Sequence, residues 1–194
     1  MSILVIKFDA KQLRRIQLML RDIPKQLPRI MSRALNKTAT AARAEIVRKI
    51  AGEIKLKQKT IRENIKLNRA TFRHWLAAIT ISSKKIPLIE FGGRQLKSGV
   101  SYQISRTGGR KKILYDPETN RVFIAVMKSG HRGIYERRGP GRLPIRELMG
   151  PNIQSVFKNA PGLAEKVITE TQAKLVHNID AQIAYVIAKR RAAA

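Results

Sequence analysis

The spacing of apolar residues changes along the chain, and each change marks an element. Leu4, Ile6 and Phe8 fall on one face of a short first strand with Lys7 on the other. Asp9 then stands as the N-cap of a helix with Leu13, Ile16 and Leu20 along one side, and Pro24 and Pro28 are expected to end it. A second helix is predicted from Pro28 to Gly52, because Met31, Leu35, Thr38, Ala42, Ile46 and Ile50 recur every three or four residues and Gly52 supplies a stop. Thr60 followed by Glu63 makes a capping-box pattern for a short helix, to which Lys55, Lys57 and Lys59 could equally belong. From Phe72 to Ile81 the period becomes two, with Trp75, Ala77, Ile79 and Ile81 on one face and Phe72, Leu76 and Ala78 toward the other, so this stretch reads as a strand.

Between Gly92 and Gly141 the pattern predicts an antiparallel set: Val100, Tyr102 and Ile104 in one strand, Val122 to Met127 in another, and a shorter one around Ile134 and Tyr135. Gly108-Gly109, the basic run Arg110, Lys111 and Lys112, and Asp116-Pro117 make the interval 106–120 a flexible basic hairpin. A short helical stretch is expected after Pro144. A final helix should run from about Pro161 into Lys189-Arg190-Arg191, with Leu163, Val167, Thr171, Leu175, Ile179, Ile183 and Val186 as its apolar stripe. At about 1.5 Å per residue such a helix spans roughly 42 Å. That exceeds the width of a domain of this size, so Leu175, Ile179 and Ile183 are expected to pack on a neighbouring copy. The fold class is α+β, with N-terminal helices, a central antiparallel sheet and a long C-terminal helix. It is read as a single domain over 1–194 with a basic tail at 189–194.

Charge changes this picture most. Forty Lys and Arg stand against 13 Asp and Glu, a formal net charge of +27 on 194 residues. On a sphere of roughly 20 Å radius that charge repels itself with a screened energy on the order of 20 kcal/mol. This is comparable with the roughly 5–15 kcal/mol that holds a domain together. Solubility requires only a few units, so the excess points to acidic partners. The local concentrations are Lys84 and Lys85; Arg110, Lys111 and Lys112; Arg137, Arg138 and Arg142; and the Lys189–Arg191 end. The chain is 43% hydrophobic, enough to build a core. It has no cysteine, which removes disulfides, thiolate nucleophiles and Cys-based metal sites. The apolar run Ile3–Ile6 is too short for a signal peptide, and no run approaches the roughly 20 apolar residues of a membrane span. The expectation is a protein made in the cytoplasm, with no membrane partner.

Candidate chemistry is thin. His74, His131 and His177 show no His-x-x-x-His or His-Glu-x-x-His spacing, so structural or solvent roles are expected for them. Asp116 and Glu118 form the closest acidic pair, and a nuclease acting through them with His131 is one reading. Asp116-Pro117-Glu118-Thr119-Asn120 reads better as a turn. No phosphate-binding glycine motif is present, so no cofactor, metal or catalytic residue is expected. No groove-entering reader helix stands out and aromatics make up only 5%, which leaves sequence-independent attraction to phosphates or fit to acidic protein surfaces.

Several stretches together are similar to the phage minor tail protein Z family: Arg33 to Glu45, Thr60 to Thr71, Ile86 to Gly92, Phe123 to Gly133, Tyr135 to Gly139 and Arg142 to Pro151. They cover most of the chain from about residue 28 onward, and the segment from Gly93 to Arg121 matches least well. The resemblance implies a tail-completion or neck component of the virion, at the head-proximal end of the tail. It also implies copies arranged as a homo-oligomeric ring near the DNA path. Its partners would be other tail and neck proteins (tail terminator, tube or connector), with double-stranded DNA as a non-specific second contact. The alternative from charge alone is a sequence-independent nucleic-acid-binding protein.

Overall fold

The computed structural model describes residues 2–21, 24–115, 121–139 and 141–192. In chain order these form β1 (Ser2–Lys7), α1 (Ala10–Met19), a 3-10 turn (Pro24–Gln26), α2 (Leu27–Glu53), α3 (Gln58–Glu63), β2 (Ile65–Asn68) and β3 (Leu76–Ile81). They continue with β4 (Lys85–Pro87), a second 3-10 turn (Leu88–Phe91), β5 (Arg94–Leu96), β6 (Gly99–Tyr102), β7 (Lys111–Leu114), β8 (Val122–Val126), β9 (Arg132–Arg137), β10 (Ile145–Glu147) and β11 (Met149–Asn152). The helices α4 (Ile153–Asn159) and α5 (Leu163–Arg191) close the chain. The α+β class is as read from the sequence. Four small antiparallel sheets, ordered β1-β3-β2, β5-β6-β7, β10-β9-β8 and β11-β4, take the place of one central sheet.

Contacts gather the chain into two compact units. Unit one comprises residues 1–47, 65–82 and 161–194, and unit two comprises 48–64 and 83–160. The first crossing from one unit to the other, after Val47, falls inside the continuous helix α2, where a search along the sequence for linkers has nothing to find. In unit one, Asp9 caps α1 as expected. Its Oδ1 accepts from the Gln12 amide at 2.7 Å while Gln12 Oε1 accepts from the Asp9 amide at 3.1 Å, a reciprocal box that satisfies two first-turn donors. Pro28 does not end a helix. It is the second residue of α2, in a first turn whose amides have no intrahelical partner to lose.

The predicted α2 stripe holds throughout: Met31, Leu35, Thr38, Ala42, Ile46 and Ile50 are all buried. On α5, Val167, Thr171, Leu175, Asn178, Ile179 and Ile183 are buried at helical spacing. Two polar pins join the helices. Asn178 Nδ2 donates to Thr38 Oγ1 at 2.9 Å, both side chains buried, and Lys174 Nζ pairs with Glu45, whose side chain is 8% exposed. The pairing of 38 with 178 and 45 with 174 makes the two helices antiparallel.

Elsewhere the local pattern misleads. Thr60 is inside α3, where Lys57 is the N-cap without a side-chain hydrogen bond, so no capping box forms. The strand expected from Phe72 starts at Leu76, with Ala77, Ile79 and Ile81 buried on the predicted face. Phe72 is 63% exposed and accepts from Trp75 Nε1 through its carbonyl. The residues directly after Pro144 are strand, because Ile145–Glu147 pairs with Arg137–Tyr135, and the short helix expected before Pro161 comes later, at Ile153–Asn159. Part of the expected basic hairpin is also strand: Lys111–Leu114 pairs with Tyr102–Gly99, leaving 103–110 as the connection.

Candidate functional site

All eight basic candidates belong to unit two, but they do not make one patch. Charge itself is shared, with 18 basic against 6 acidic residues in unit one and 22 against 7 in unit two. Arg110 is turned to a structural task. Its Nη2 donates to the carbonyls of Gly92 and Ser101, at 2.8 and 3.0 Å, and to Ser101 Oγ at 3.0 Å. Gly92 ends the 3-10 turn at φ 67°, in the left-handed region that glycine adopts without strain, so Arg110 ties that turn to β6. Lys111 and Lys112 are neighbours in β7 and therefore project to opposite faces, both exposed.

Arg137 is likewise occupied, its guanidinium lying 5.3 Å from the centre of the Phe123 ring and its Nε buried without a hydrogen-bond partner. Arg138 and Arg142 are exposed in the loop joining β9 to β10, which the Arg138 amide closes by donating to the Pro144 carbonyl at 3.1 Å. Leu143 in the same loop is 71% exposed. Lys84 and Lys85 are exposed beside a hollow of about 270 Å³ whose lining includes Glu63 and Glu90, so local carboxylates offset that doublet. Of the eight candidates, Lys111, Lys112, Arg138 and Arg142 are thus the exposed ones left to meet a partner.

The apolar candidates are placed differently from the expectation. Leu175, Ile179 and Ile183 are 3%, 5% and 2% exposed in the single chain. They are used up within unit one and present no surface to a neighbouring copy. The helix is long because it packs along its own unit through most of its length.

One group of titratable side chains escaped the sequence reading. His131 Nε2 lies 2.6 Å from Glu147 Oε1, across the β9–β10 pair, and buried Tyr135 is close to the same carboxylate. Burial pushes the Tyr135 phenol above its ordinary pKa, and the negative charge of Glu147 adds to the effect. Sequence gives no signal for this group, because register alone sets Glu147 opposite Tyr135. Among the described residues no hydroxyl is hydrogen-bonded to His131 or Glu147. Asp116 and Glu118, the carboxylates of the nuclease reading, lie outside the described residues. Among the described residues no cluster of three His, Asp or Glu could hold a metal ion, and no helix is long and apolar enough to cross a membrane.

Neither the curated proteins nor the solved structures contain a match to this chain. A family model described as prophage minor tail protein Z (GPZ) matches residues 11–189.

Proposed function

Because the chain belongs to the prophage minor tail protein Z family, whose members are structural proteins of phage tails, we propose that it completes the tail at its head-proximal end, as a ring of copies near the DNA path. The observation that carries this reading is the extent of the family match, nearly the whole chain. Charge supports the finer part. Each copy carries +27, so copies held side by side repel unless counter-charge is brought between or beside them. Acidic tail and neck proteins, or the phosphates of DNA, supply it. Lys111, Lys112, Arg138 and Arg142 are among the exposed unit-two cations that could receive it.

The role is structural rather than catalytic: binding and shape suffice for it, and the His131–Glu147 pair is built into a hairpin. Tails purified from an induced host test the reading. This chain is expected in them, and tails that lack it refute the proposal. The charge-only alternative, a general nucleic-acid-binding protein, predicts affinity for unrelated DNA sequences that falls linearly in log–log terms with salt. Tight binding to acidic tail proteins without measurable DNA affinity would exclude that alternative.

A further inference from the structure

Two grooves in unit one flank the start of α2, and both are cationic. One, of about 930 Å³, is lined by Lys25, Pro28, Arg29, Arg33, Ala70 and Phe72 among others. The other, of about 430 Å³, lies between the start of α2 and the end of α5 and includes Tyr185, Val186 and Lys189. Arg29 and Arg33 line both. Among the described residues no acidic side chain lines either groove. Each also exposes an aromatic ring, Phe72 at 63% and Tyr185 at 56%.

Local structure does not account for this charge. Lys189 is in the last turn of α5, where a cation meets the negative end of the helix dipole and is stabilised. Arg29 and Arg33 have the opposite setting. They are exposed and four residues apart at the start of α2, so each faces a like-charged neighbour, and Arg29 in the first turn also faces the positive end of the helix dipole. An anion bound between them would reverse both effects.

The shape and lining select the kind of anion. A DNA duplex is a stiff convex cylinder, and its phosphates bring no apolar group to fill the space beside Phe72 and Pro28. Single-stranded nucleic acid stacks on aromatics in series, whereas Phe72 and Tyr185 line different grooves. A second copy of this chain is a poor source of carboxylates, having 13 acidic residues against 40 basic. We propose that Arg29 and Arg33, with the grooves beside them, dock an acidic amphipathic segment of another protein, its apolar side chains in the grooves and its carboxylates on the two guanidiniums. This surface is on unit one and the cations used for the tail-end reading are on unit two, so either proposal can fail without the other.

The test is fluorescence anisotropy with the full chain and a labelled amphipathic peptide carrying two Glu one helical turn apart, flanked by Leu and Phe. Binding is expected. Arg29→Glu with Arg33→Glu should weaken it roughly tenfold or more, the scale of losing two exposed ion pairs. Changing the two peptide Glu to Lys should restore it. Lys11→Glu with Lys166→Glu, an equal change of net charge elsewhere in unit one, should leave affinity unchanged. If circular dichroism shows the double Glu variant misfolded, Arg29→Gln with Arg33→Gln is read instead. No binding, equal affinity of variant and parent, or equal weakening by both charge changes overturns the proposal. So does a 20-base-pair duplex that displaces the peptide and itself loses affinity in the Arg29/Arg33 variant, which would make DNA the occupant.

Discussion

Three consecutive basic residues, Arg110, Lys111 and Lys112, meet three different fates, and each follows from backbone geometry. A strand alternates its side chains, so Lys111 and Lys112 part to opposite faces, while Arg110 bends inward onto Gly92 and Ser101. Replacing Arg110 by Ala strips partners from Ser101, itself buried, and should cost about 1–3 kcal/mol. Arg110→Lys should recover part of this, since all three bonds come from the one nitrogen Nη2 and an ammonium on a more flexible stem also carries three donors. Lys111→Ala and Lys112→Ala should each stay within about 0.5 kcal/mol. Urea unfolding midpoints of the four variants check this ordering; equal losses at all three positions would contradict it. Tyr135 gives a second residue-level outcome. Its folded pKa is raised, so the neutral phenol favours the folded state, and that contribution is full below the ordinary tyrosine pKa and lost as pH rises through the folded value. Ultraviolet titration should show one of the four tyrosines ionising after the others, and Glu147→Gln should narrow the gap. Four coincident titrations would count against this environment.

The pairing of α2 with α5 decides how unit one holds together. Its apolar stripes carry most of the burial, but Thr38–Asn178 fixes the register, because a shifted helix would bury the hydroxyl and the amide unpaired, and Glu45–Lys174 favours the same register. Thr38→Val leaves the buried Asn178 amide without its acceptor and should destabilise by about 1–3 kcal/mol, while Thr38→Ser should keep most of the stability. Adding Asn178→Leu to Thr38→Val should recover part of the loss, since removing both partners costs less than orphaning one. A double-mutant cycle in urea measures this, and strict additivity would sink the interpretation. The two stripes were legible because helical periodicity persists over 27 and 29 residues. The pins were not, since no local pattern connects positions 140 residues apart. Short strands fail for a related reason. Ile65–Asn68 alternates correctly but is four residues long, and Ile145–Glu147 is a strand only because β9 lies beside it. The basic clusters were visible as composition, but their availability depended on tertiary hydrogen bonds and stacking that composition does not carry.

For the whole molecule, the large positive charge was the clearest signal in the sequence, and it resolves into two units of similar excess with distinct exposed cations. Leu175, Ile179 and Ile183 of the final helix are buried within the chain, so contacts between copies would use other side chains. Membership of the minor tail protein Z family makes the chain a tail component, and position within the tail is the central claim built on that. The most direct measurement is negative-stain electron microscopy of tails purified from an induced host, with this chain carrying a gold-binding tag. Label confined to the head-proximal end is the predicted result. Label absent from intact tails, or distributed along the tube, would contradict it.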